Sequence, residues 1–256
     1  GMRYAVLVLP EQDRRMDLAV LQHLELLLLQ GATVIGNRPE RTYGLGGHPR
    51  EQEQLRSLAD RMWGEQPASA PREIRYGRGR LIVGKSEREV LAAIGVSPDL
   101  ELYPAERHDD IDFIHRHCAG QDIYFLRNAT DSDIAFEAEF RVPGGRPELW
   151  DPAGPSMTEA AAYCAMEQGV RIPLHLPSRG STFVVFLADK PSQPAITSVR
   201  HQGQTLFPAD SPDEPRFTVR YAPDGTILFG ATQPGDYELH GSDGKPRTIR
   251  VSADRK

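Results

Sequence analysis

Residues 4–35 read YAVLVLPEQDRRMDLAVLQHLELLLLQGATVI, and their pattern decides how the fold begins. The run at 4–9 is continuously apolar, as in a strand covered on both faces. Asp17 is placed to cap a helix in which Leu18, Leu21, Leu24 and Leu28 recur at helical spacing, with Val20 and Leu27 widening the stripe. Gly31 stops that helix, because glycine takes a left-handed conformation without steric cost. Residues 32–35 then form a second buried strand. Working outward, residues 51–63 give a second helix with Leu55, Leu58, Ala59 and Met62 inward and Gly64 as its stop. Residues 75–78 read as a turn and 80–83 as a third strand; Ser86 caps a short helix through Ile94, ended by Gly95. Alternating strands and helices imply right-handed crossovers and a parallel sheet of the amidotransferase-like or flavodoxin-like kind.

The pattern changes near Tyr103, where period-two alternation replaces helical spacing. Ile134, Phe136, Ala138, Phe140 and Val142 alternate with polar residues, and Ile123 and Phe125 open the series. Further strands are expected at 170–176 and 182–187, which together suggest a β-sandwich. Pro191-Ser192-Gln193-Pro194 reads as a linker into short strands at 197–199, 216–221, 226–229, 237–239 and 248–251. Asp224-Gly225 and Asp243-Gly244 supply hairpin turns there. The fold class is therefore α/β plus β, with an α/β domain over 1–104, a β-sandwich over 105–190 and a small β-rich unit over 191–256.

Composition bounds the function. Of the 256 residues, 39% are hydrophobic and 26% charged, a balance that folds. The net charge of -6 and the scattered basic residues exclude a nucleic-acid binder, which needs a basic face. The apolar stretch at 16–29 is broken by Asp17, Gln22, His23 and Glu25 and is too short to cross a membrane. No signal peptide is recognised, and Gly1 reads as a tag scar before Met2. A strand beginning at Tyr4 suits a cloned piece of a longer protein or a small cytoplasmic one. Cys118 and Cys164 form no C-x-x-C pair, and a disulfide between them stays open on sequence grounds.

Several motifs invite a chemical reading. Gly79-Arg80-Leu81-Ile82-Val83-Gly84-Lys85-Ser86 fits the letters of a phosphate loop, but its variable residues are themselves a strand and cannot form an open cradle. Gly44-Leu45-Gly46-Gly47 follows the second strand, whereas a dinucleotide fingerprint follows the first, where Pro10-Glu11-Gln12-Asp13 stands. No G-x-S-x-G occurs and no cysteine precedes Cys118, so the α/β domain lacks a nucleophile of either kind. His115 and His117 would share one face of a strand beside His108, Asp109, Asp110 and Asp112, but no third ligand stands at a recognised spacing, and no metal is assigned. Asp131, Asp133, Glu137 and Glu139 alternate with apolar residues and read as the solvent face of a half-buried strand. Asn128-Ala129-Thr130 matches a glycosylation sequon and reads as a turn.

Four groups of words occur in order and spacing across residues 4–190. They are YAVLVLP with QGATVIG and Arg38-Pro39; Ile114-His115-Arg116 with GQDIYFL and Asn128; Phe140-Arg141-Val142 with PELWDP; and Arg171-Ile172-Pro173-Leu174 with GSTFVVF. Together they resemble the region after the catalytic barrel in α-L-rhamnosidases of glycoside hydrolase family 106. The resemblance implies an N-terminal (β/α)8 barrel carrying the catalytic carboxylates and a calcium ion, then an amidotransferase-like domain and β-sandwich domains. None of the barrel words lies in this chain, so no catalytic or metal residue is carried over, and no cofactor is expected.

The expected role is an accessory region that braces the barrel of the same polypeptide or shapes its rim. His115 and Arg116 are the candidates for a polar contact at the substrate rim or between domains. A second reading is a free-standing carbohydrate-binding module using Trp150, Tyr163, Tyr221 or Tyr237 as an aromatic platform for a plant or bacterial oligosaccharide. Neither reading involves nucleic acid or a membrane. A secreted parent would place the chain in the periplasm or outside the cell.

Overall fold

The computed structural model describes residues 4–44, 49–64, 70–189, 191–209 and 215–252. The chain is mostly β, arranged in several sheets, and forms two compact units, Gly1–Ser97 and Pro98–Lys256.

The first unit runs β1 (Leu7–Val8), α1 (Leu18–Gln30), β2 (Thr33–Ile35), α2 (Arg50–Trp63), β3 (Arg72–Tyr76), β4 (Gly79–Val83) and α3 (Glu87–Ala93). Its sheet order is β1-β2-β4-β3. β1, β2 and β4 are parallel, as alternating strands and helices require, but β3 is antiparallel to β4. The sheet is thus mixed, and the expected turn at 75–78 is corrected: only Gly77 and Arg78 turn. Ile74 and Tyr76 pack inward between Glu73 and Arg75, a period-two signal hidden by the glycines that follow. Leu21, Leu24 and Leu28 of α1 meet Leu55, Leu58 and Met62 of α2 over β4, as the leucine spacing implies. Asp17 occupies the N-cap of α1 without a side-chain cap bond, and Gly31 ends the helix at φ 113. Ser86 forms a reciprocal capping box with Glu89. The phosphate-loop letters are therefore a strand followed by a capped helix. β1 is shorter than expected, and Leu7 and Val8 are exposed rather than covered on both faces. Of Gly44-Leu45-Gly46-Gly47, all but Gly44 lie outside the described residues.

The second unit begins with β5 (Leu100–Tyr103), which lies ahead of the residue-104 boundary read from the sequence yet pairs with β8 of the sandwich. The strands that follow are β6 (Ile111–Cys118), β7 (Gln121–Asn128), β8 (Ile134–Phe140), β9 (Arg146–Trp150), β10 (Met157–Glu159), β11 (Cys164–Met166), β12 (Gly169–Leu176) and β13 (Ser181–Leu187). They build two antiparallel sheets, β10-β9-β13-β7-β6 and β11-β12-β8-β5. Between them Tyr124, Phe136, Phe140 and Phe186 form an aromatic core, with the Tyr124 and Phe140 rings 4.8 Å apart edge to face.

The remaining strands are β14 (Ile196–His201), β15 (Gln204–Phe207), β16 (Phe217–Tyr221), β17 (Ile227–Ala231), β18 (Gly235–Gly241) and β19 (Pro246–Val251). They form a four-stranded sheet, β15-β14-β18-β19, and a hairpin, β16-β17. Phe207, Phe217, Tyr237 and Leu239 make their core, and Ala162 and Cys164 from the sandwich join it. This shared cluster ties residues 196–251 to the sandwich within one compact unit.

Candidate functional site

Three polar clusters stand out in the second unit. The first forms around His115 on β6, an edge strand. The turn at Ala119-Gly120 folds β7 back so that His115 faces Tyr124. Their rings stack at 4.0 Å with only 6° between planes. Nδ1 of His115 stands 2.9 Å from Asp99 Oδ2 and Nε2 stands 3.0 Å from Asp122 Oδ1. Both contacts are hydrogen bonds together only when both ring nitrogens carry hydrogen. Asp122 Oδ1 also meets His117 Nδ1 at 2.8 Å, and Arg141 donates to Asp99 Oδ1 at 2.9 Å. The Tyr124 hydroxyl donates to the Asp99 carbonyl at 3.2 Å, and burial first, then Asp99 and Asp122, pushes its pKa up.

The structure therefore engages both ring nitrogens of His115 inside its own unit. Arg116 points the other way. It is exposed, and among the described residues its guanidinium makes no ion pair, which leaves it available at the sheet edge. The two rim candidates thus lie on opposite faces of β6. No group of three metal-ligating side chains occurs among the described residues.

The second cluster is buried. The sequence pattern puts Glu137 and Glu139 on the outer face of β8, and that face was expected to meet solvent. It does not: Glu137 is 0% exposed. The unit after the linker lies over this part of the face, where Arg171 Nη1 donates to the Ala209 carbonyl at 2.9 Å. Arg171 lies opposite Glu139 in the register and donates to its Oε2 at 2.7 and 3.1 Å. Its guanidinium stacks over the Tyr103 ring at 4.4 Å. Arg171 Nη1 is 3.6 Å from Glu137 Oε2, beyond hydrogen-bond reach, and neither Glu137 oxygen has a hydrogen-bond partner. Burial pushes the Glu137 pKa up to about 7 against the opposing pull of Arg171. Cys164, in the same seam, is raised to about 12 by burial. Farther along the face, an open cleft of ≈ 470 Å³ separates Asp133, Ala135 and His175 from the β16-β17 hairpin.

A third set of charges holds the exit toward the linker. Arg146, 8% exposed, meets Glu148 at 2.5 Å, Glu159 at 2.9 Å and Asp189 at 3.0 Å. Glu159 in turn accepts from the Ser192 hydroxyl at 2.6 Å.

The aromatic candidates do not form a common platform. Trp150 lies on the outer face of β9 with Nε1 donating to Glu148 at 2.7 Å. Met157, Trp150, Phe183, Phe125 and Ile114 sit opposite one another in register, an apolar row across five strands. Tyr163 packs against the sandwich core, and Tyr221 donates to the Pro194 carbonyl at 3.1 Å. Tyr237 is corrected outright: it is 1% exposed and stacked 4.2 Å from His201, inside the core. The cysteines are unpaired, Cys118 exposed and Cys164 buried. Sequence reading missed Asp99, Arg141, Arg146 and the Arg171 seam. One signal was present: alternation in IAFEAEF and RIPLHL places Glu137, Glu139 and Arg171 on one face.

The family model described as alpha-L-rhamnosidase, of glycoside hydrolase family 106, matches residues 1–164, more than half of the chain. The chain belongs to this family. The rhamnosidase from Novosphingobium sp. PP1Y, a solved structure, is 27% identical, covers 90% of the chain and superposes with a TM-score of 0.61. A protein of Formosa agariphila named "Putative beta-glucuronidase" is 28% identical over 187 residues, 73% of this chain. This family 106 chain spans 21% of the solved rhamnosidase and 15% of the Formosa protein.

Proposed function

We propose that this chain is a non-catalytic accessory region of a larger rhamnosidase-like glycoside hydrolase, where it braces the catalytic barrel or shapes the rim of its active site. One observation carries the reading: a solved rhamnosidase that aligns with 90% of the chain devotes only 21% of its own length to doing so. The use of the acids supports it. Paired carboxylates that hydrolyse a glycoside must face a cleft open to sugar. Here Glu137 and Glu139 are sealed against Arg171, and Asp99 and Asp122 are held by His115.

On this reading the first unit is an amidotransferase-like or flavodoxin-like domain used as scaffold. The sequence division at 104 and 190 separates an α/β part, a sandwich and a small β-unit, with β5, ahead of 104, pairing into the sandwich. The catalytic barrel of the same polypeptide is the partner, and the exposed Arg116 is the candidate for reaching it or its substrate. The test is hydrolysis of an aryl α-L-rhamnoside by the native-length polypeptide and by the 256-residue chain. Turnover by the first alone is expected. Turnover by the chain itself would overturn the accessory reading.

A further inference from the structure

Among the described residues, the α/β unit leaves one surface unfinished. β1 is an edge of the sheet β1-β2-β4-β3, yet its Leu7 and Val8 are 41% and 44% exposed. Parallel strands are ordinarily covered, because helices flank both faces. The backbone is open too. Leu9 N–H donates to the Ile35 carbonyl at 2.8 Å, so strand alternation turns the Val8 N–H and C=O toward the free edge. An unpaired apolar edge is a template for another strand.

α1 continues the surface. Its sequence is apolar nearly all round, a composition suited to a helix with neighbours on several sides. Leu21, Leu24 and Leu28 are buried, but Val20 is 53% exposed and Leu27, one heptad on, is only half-buried. The direction of the Val20 flank follows from Glu25. Glu25 accepts from the Tyr76 hydroxyl at 2.5 Å and lies 3.7 Å from Arg61, so its side of α1 faces β3 and α2. Val20 and Leu27, one heptad apart, lie roughly opposite Glu25 on the helix. β3 and β1 are opposite edges of the sheet, so the Val20 flank faces the β1 side.

We propose that the β1 edge and the adjoining flank of α1 receive one further β–α element of the longer family polypeptide, an apolar strand parallel to β1 with its helix beside α1. This rests on the accessory reading above. Strand polarity favours the occupant: a parallel strand needs a crossover of a dozen or more residues, usually a helix, and the Val20 flank offers a helix its seat. A polypeptide as long as the solved rhamnosidase, of which the chain spans 21%, has the length for it. A second copy related by a two-fold axis could offer β1 only antiparallel, over the two residues Leu7–Val8.

Deuterium exchange in the peptide 4–9 and thiol labelling of a V20C variant in which the exposed Cys118 is replaced by Ser test this, each in the 256-residue chain and in the native-length polypeptide. Both are expected to slow by on the order of ten-fold or more in the longer form. Equal rates in the two forms would overturn the proposal while leaving the accessory reading intact. Protection that already grows with concentration in the 256-residue chain would overturn it in favour of a second copy. A native polypeptide no longer than this chain would remove both readings together.

Discussion

Replacing Glu137 with Gln should flatten the dependence of the all-β unit's stability on pH near neutrality. The carboxyl group is 0% exposed, without a hydrogen bond, and its pKa is pushed from 4.5 to about 7 chiefly by burial. In the folded chain the group therefore keeps its proton while the unfolded chain releases it. A raised folded pKa means the fold is favoured at low pH. That advantage is complete below about 4.5 and lost as pH rises to about 7. At about 1.4 kcal/mol per pKa unit, the wild type should lose roughly 3 kcal/mol across this window. Arg171 does not suffer in the variant, because Glu139, the Ala209 carbonyl and the Tyr103 ring still hold it. The assay is urea denaturation at several pH values, followed by β-sheet circular dichroism. The wild-type free energy should fall between about pH 5 and 8 by roughly 3 kcal/mol more than that of E137Q. Parallel curves for the two proteins would refute the reasoning and mean that Arg171 keeps Glu137 ionised in the fold.

Arg146→Met should destabilise the same unit by about 3 kcal/mol, because Glu148 and Glu159 would be left half-buried with no cation between them; urea denaturation reads this directly. Ser86→Ala should cost the first unit about 1 kcal/mol through loss of the capping box, seen as faster exchange across Glu87–Ala93. Glu89 itself is held below the usual carboxylate range by bonds from Ser86, so the cap should also loosen as pH falls through that lowered range. His115→Phe keeps the ring stack on Tyr124 but removes the ring nitrogens that meet Asp99 and Asp122, and a loss of about 2 kcal/mol in thermal or urea unfolding is expected. Arg116→Ala should leave stability within about 0.5 kcal/mol, while changing KM or kcat of the native-length enzyme if the side chain reaches the rim.

What the sequence disclosed follows the range of the interactions involved. The helices of the first unit were legible because leucine spacing, Gly31 and the Ser86 cap are local signals. β3 was not, since its two inward residues, Ile74 and Tyr76, run directly into a glycine turn. Alternation along β8 correctly separated the Phe136 face from the Glu137 face. It could not say what covers the second face, because the cover lies in residues 196–251. Tyr237 failed for the same reason: a tyrosine in an alternating strand is a platform or a core residue according to which sheet packs on it. His115 was half legible. Asp122 lies across the hairpin from it and is foreseeable from the turn at Gly120, whereas Asp99 arrives from β5's approach, 16 positions away.

The central claim is that these residues work as part of a much longer glycosidase. Immunoblotting source cells with an antibody against the chain tests it most directly. The account predicts a native band several times heavier than 28.5 kDa, in keeping with relatives of which this chain spans 15 to 21%. A band at 28.5 kDa would contradict it and leave a free-standing protein that braces no barrel.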